Sequence, residues 1–116
     1  MGASVGTEQA YDIALIEVEL LNLNDFIDEE LNWRNSRCLG NYISSAAKFL
    51  EWTIIKLSME ADVECTLTMA QWKLEMAQCK INCLLKRGKI SQDLADTLKQ
   101  KIEDAQTDIE EVKNLI

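Results

Sequence analysis

The sequence predicts an all-α fold, a four-helix and mostly antiparallel bundle, and three observations carry that reading. The 116 residues contain no proline and only four glycines, so little interrupts helical hydrogen bonding. Composition leans towards Leu, Glu, Lys, Ala and Gln, which are good helix formers. Apolar residues recur at three- and four-residue steps along three separate stretches, the spacing that lines one side of a helix, and capping signals mark a fourth.

The first stretch is expected over residues about 8 to 38, entered through Thr7 as N-cap. Its apolar stripe is Ile13, Ile16, Leu20, Leu23, Ile27 and Leu31. Asn22, Asn24 and Asp25 are candidates to bend it, because short polar side chains compete for backbone hydrogen bonds. The expected break is Cys38-Leu39-Gly40-Asn41, with Gly40 as a left-handed C-terminal cap. A second helix follows over about 42 to 62, with Ile43, Ala47, Leu50, Ile54, Leu57 and Ala61 as its seam.

For the third helix, Thr68 and Gln71 have capping-box spacing, with Leu67 and Trp72 as the flanking staple. It closes at Gly88, after Lys86 and Arg87, which suit the negative end of the helix dipole. Ser91 is the expected N-cap of the fourth helix, with Asp93 in its first turn. The fourth seam is Ala95, Leu98, Ile102, Ala105, Ile109, Val112 and Ile116. So short a connection, Gly88 to Ser91, makes helices three and four antiparallel. Residues 1–7 are expected as a flexible tail before a single helical domain at 8–116. Gly2 begins no myristoylation signal, since the sixth position is Gly6 and not Ser or Thr.

Charge and residue types exclude several functions. A net charge of −8, from 20 acidic and 12 basic residues, disfavours direct nucleic-acid binding and docking on anionic membranes. No run of about 18 apolar residues offers a membrane span, and the N-terminus lacks a charged-then-apolar leader, so the expected location is cytoplasmic. Histidine is absent, which removes the usual general base, the Ser-His and Cys-His dyads and the commonest metal ligand. The expectation is a chain that is no enzyme and takes no cofactor. Cys38, Cys65, Cys79 and Cys83 are expected as reduced, buried thiols filling the core. Because Cys79 and Cys83 are four apart and not in a C-x-x-C knuckle, no metal site is expected from them. Asp25 with Asp28 and Glu60 with Glu64 are the nearest approach to magnesium-holding carboxylate pairs, and their spacing makes a magnesium-dependent nucleotide hydrolase the weakest alternative.

Surplus apolar surface is the more informative feature. With Leu50 turned to the core, Trp52, Ile55 and Met59 fall together on the far side of helix two. Tyr11, Leu15 and Val18 do the same opposite the seam of helix one, with Trp33 further along. Two stripes on one helix mean either a central helix covered on both sides or a surface for a partner, and aromatic residues and methionine are enriched at interface cores. These seven residues are the candidate partner-binding site. The expected function is a non-enzymatic protein–protein interaction module, an adaptor, chaperone-like or inhibitory subunit that forms a homodimer. The alternative is a phage or mobile-element inhibitor, anti-CRISPR-like, that blocks a nucleic-acid-binding enzyme with an acidic surface. Residues 1–40 hold eight acids and two bases, residues 89–116 hold seven and four, and residues 68–88 hold one acid and four bases.

Overall fold

The computed structural model describes residues 2–116, with side chains from Glu8 onward; the side chains of the expected N-terminal tail lie outside the described residues. Four helices run in chain order: α1 (Gly2–Glu30), α2 (Trp33–Ser58), α3 (Glu64–Lys86) and α4 (Gln92–Leu115). Each packs on its neighbours in sequence, and α1 closes the ring against α4 with the sparsest contact of the four pairs. The resulting four-helix bundle measures 52 × 21 × 19 Å, and the rise of α1 alone accounts for about 43 Å of its length.

The apolar seams meet along the bundle axis. All six stripe residues of α1 are buried, as are Ile43, Ala47 and Leu50 of α2 and six of the seven α4 positions. Ile54 and Leu57 pack partly buried against this core. Ala61 lies beyond the end of α2, and Ile116 is exposed at the end of the chain. Leu39 and Ala46 complete the α2 contribution, and Leu74, Ala77 and Ile81 form the centre of that from α3.

Helix ends follow capping chemistry, though not always the predicted caps. Gly88 takes φ +69, while its N–H and that of Lys89 return to Leu85 and Leu84 carbonyls, the Schellman pattern that glycine favours. Ser91 caps α4 by accepting from Leu94 N–H at 3.1 Å. The Thr68 capping box does not form: α3 starts a turn earlier at Glu64, behind Val63, with Asp62 Oδ1 accepting from Glu64 N–H at 3.1 Å. Buried Thr66 explains the earlier start. Its hydroxyl lies 2.7 Å from that of Thr53 on α2 and 3.0 Å from Val63 O, so the first turn is tied into the core.

The first interhelical break also falls elsewhere than predicted. It lies at Leu31-Asn32, where Asn32 caps α2 through a 3.0 Å bond from Asn35 N–H. Gly40 is therefore mid-helix and fully enclosed. A Cβ built there would stand 2.7 Å from Asn24 Oδ1. Asn24 does not bend α1; it spans the interface, donating through Nδ2 to Ser44 Oγ at 2.7 Å, while its Oδ1 is buried without a hydrogen-bond partner among the described residues. A second cross-link joins Ser36 Oγ to Asp28 Oδ1 lower on the same pair of helices.

This close approach has a measurable signature. In a helix interior, Gly to Ala alone is worth about 1 kcal/mol of added stability. With Asn24 in place, Gly40→Ala is expected instead to destabilise by about 1–3 kcal/mol through overpacking. Combined with Asn24→Ala, the same substitution should stabilise. Urea unfolding of the four proteins in this cycle checks the coupling, and identical Gly40→Ala effects in both backgrounds would remove Asn24 as the obstacle.

Candidate functional site

The outer face of α2 is built by the same phase that fills its core. Leu50 and Thr53 point inward and are fully buried, leaving Trp52 52%, Ile55 50% and Met59 70% exposed. Trp52 is held edge-on against Phe49, with ring centroids 5.8 Å apart and planes at 83°. Phe49 in turn packs on the core, so this indole has a fixed base and a free face. Tyr11, Leu15 and Val18 are likewise exposed on α1, and Leu21 extends their row.

Trp33 does not belong with them. It is the first residue of α2, not part of α1, and it is 71% exposed beneath the Arg37 guanidinium, 5.9 Å from the ring centroid. Nineteen residues of helix separate it from Trp52, about 28 Å along the axis. Only six of the seven predicted residues therefore share the end of the bundle where α1 begins and α2 finishes.

Wheel reasoning applied to α3 would have found another surface. Trp72, Met76 and Cys79 stand at i, i+4 and i+7 on its outer side and, with Tyr42 of α2, line a shallow groove between the two helices. Trp72, expected as a staple at the helix start, belongs instead to this stripe. Cysteine placement also departs from expectation. Cys38, Cys65 and Cys79 are exposed and Cys83 is half-buried, while the core-facing positions of α2 and α3 are held by Leu, Ile and Ala together with Ser36, Gly40, Thr53 and Thr66.

Acidic side chains gather where α1 meets α4. A cavity of about 580 Å³ opens there above Leu20 and Ala105, with Glu19, Asp104 and Asp108 on its rim. The groove continues past Asp12 and Glu111 to Leu15 and Leu115. Partial burial, then Asp108 and Asp104, push the Glu19 carboxyl above its ordinary range. Across the other flank of α1, burial and then Glu51 of α2 raise Glu17 in the same way. Thus α1 faces like charge on both sides.

Glu75, Glu103 and Glu110 line a shallow depression between α3 and α4. Asp28 is engaged by Ser36, Asp25 is solvent-facing, and Glu60 sits in the α2–α3 connection at φ 56. Among the described residues, no three Cys, Asp or Glu side chains come together as a metal-holding group, and no helix is long and apolar enough to cross a membrane. No family model, curated protein or solved structure matches the chain. The geometry of these surfaces is what bears on function.

Two measurements follow from this arrangement. An aromatic-disulfide thiol reagent should modify Cys38, Cys65 and Cys79 rapidly in the folded protein, and Cys83 more slowly. Cys79→Ala should change stability by no more than about 0.5 kcal/mol, as for other surface sites; protection of all the thiols until unfolding would contradict their placement.

Acidification provides the second. Raised folded-state values mean that Glu17 and Glu19 bind protons more tightly folded than unfolded. Their contribution to stability is full below the unfolded carboxylate value and is lost as pH rises through the raised folded values. Glu19→Gln should therefore raise the melting temperature at neutral pH, and the gain should vanish on acidification. A gain that persists unchanged at low pH would assign the effect to packing.

Proposed function

We propose that the protein is a non-enzymatic interaction module, an adaptor, chaperone-like or inhibitory subunit, whose docking surface is the outer apolar face of α1 and α2, and that two copies meet through this face. One observation carries the reading: Trp52, Ile55 and Met59 are each at least half exposed although the core beneath them is closed. Burying such a side chain completely contributes about 1.5–3 kcal/mol relative to full exposure, and roughly half of that remains to be gained by these side chains, so the three together favour a covered state. The Phe49 contact keeps the indole in place, which lowers the entropy lost on docking. Rigid aromatic anchors beside flexible methionine match the composition of interface centres.

Self-association is the first test. Light scattering at micromolar concentration should give twice the 13.2 kDa chain mass, and in a background with Trp33 and Trp72 changed to Phe, Trp52 emission should shift to the blue as concentration rises. Ile55→Asp should abolish both effects by placing an unpaired carboxylate in the contact. Its helical circular dichroism and cooperative melting should stay near those of the parent. Unfolding of the Ile55→Asp monomer would instead make this stripe part of the core. A monomer at every concentration, with unchanged Trp52 emission, would end the dimer reading.

A further inference from the structure

We infer that the α1–α4 groove is a second docking site, meeting the apolar face only at Leu15, and that its occupant is a basic amphipathic helix presented by a partner protein. Charge defines the chemistry. Five carboxylates, those of Asp12, Glu19, Asp104, Asp108 and Glu111, line the groove against the one ammonium of Lys101. They come from two different helices, and the charges acting on Glu19 from across the gap repel it. A cation placed between α1 and α4 would relieve both.

Shape defines the form of the guest. From the level of Lys101 to that of Leu115 the groove follows about 21 Å of α4, roughly four helical turns. Its floor is apolar, made by Leu20, Leu23 and Ala105. At one end Leu15 and Leu115 are exposed. At the other, Lys101 Nζ already stands 5.5 Å from the Phe26 ring centroid, so the groove holds one cation over an aromatic face in the free protein. A guest that matches carries Lys or Arg at helical spacing through its middle and apolar residues at both ends. An extended acid-free apolar peptide would leave the carboxylates unpaired, and a nucleic acid would be repelled.

The chain's own α3 is the other basic helix in view, with Lys73 and Lys80 beside Trp72 and Met76. A net charge of −8 on each copy opposes that encounter at long range, while the same field draws in a basic partner. The foreign helix is therefore the occupant.

A synthetic amphipathic helix of leucine and lysine, with its leucine–glutamate counterpart as control, tests the site by calorimetric titration. The lysine peptide should bind and the glutamate peptide should not. Glu19→Gln with Asp108→Asn should weaken binding by at least about tenfold, equal to about 1.4 kcal/mol. Neutralising two acids outside the groove, by Asp62→Asn with Glu64→Gln, should leave it within a factor of about two to three. Asn22→Trp, which fills the groove from an exposed position on α1 without changing charge, should also weaken it at least about tenfold. Equal losses from the pair outside the groove, or unaltered binding to Asn22→Trp, would reduce the interaction to bulk charge and overturn the proposal. Self-association abolished by charge reversal at Lys73 and Lys80 would give the groove to a second copy instead, and would equally overturn it. Ile55→Asp should bind the lysine peptide as the parent does, so failure here and failure of the apolar-face reading are separable.

Discussion

A helix in a ring of four can bury one stripe, roughly 100° wide, and this limit governs the molecule. The stripes of α1 to α4 fill the axis, mostly with Ile, Leu and Ala. Every further apolar residue must then lie outside. Tyr11, Val18, Trp52, Met59 and Trp72 are outside for this reason, not because the core is incomplete. The same limit displaces the thiols. A cysteine on α3 finds the inward phases taken by Leu74, Ala77 and Ile81, and so Cys79 shares the outer row of Trp72 and Met76.

The ring is not uniform. Between α1 and α2, Gly40 removes a side chain where Asn24 enters, and the hydroxyls of Ser44 and Ser36 join the two helices. Between α2 and α3, the Thr53 and Thr66 hydroxyls lie within 2.7 Å of each other in the buried interior, each against a carbonyl of its own chain segment. Two protons fill two of these three contacts at a time: when Thr53 donates to Thr66 and Thr66 to Val63 O, each hydroxyl donates one bond. Across α1 and α4, among the described residues, no such hydroxyl-bearing pair closes the gap. Glu19 confronts Asp104 and Asp108 there, and the interface opens into a groove. One helix is thus clamped on one flank and held apart on the other.

Periodicity made the fold legible. The seams of α1 and α4 could be read residue by residue because apolar spacing reports helix phase directly, and Gly88 and Ser91 mark their turn because φ and capping requirements are local. The α1–α2 break was misplaced for the opposite reason. Gly40 serves a neighbouring helix, and a glycine required by tertiary approach has the same appearance in sequence as one required by a turn. Asn32, which does cap α2, directly follows Leu31, where the apolar rhythm of α1 ends. At Thr68, good capping chemistry lost to the burial of Thr66 and Val63 one turn earlier. Of the candidate site, the α1 and α2 rows were visible on a wheel, whereas the placing of Trp33 depended on the misassigned break.

The acidic groove could not be read from one helix at a time. Around α1 the carboxylates point in several directions, which resembles ordinary solvation. Only adjacency decides that Glu19 and Asp12 look across at Asp104, Asp108 and Glu111, while the basic third helix stands on the far side of the ring. This cross-section separates two kinds of force. Exposed like charges act over about 8–10 Å at ordinary ionic strength and govern how fast, and how selectively, a basic partner arrives. Apolar side chains act only at contact and govern how long a complex lasts. With the acids on the α1–α4 side and Trp52, Ile55 and Met59 on the outer side of α2, encounter through one surface need not disturb a contact held by the other. A bundle of this size gains that division because its helices supply more apolar and acidic surface than one core can use.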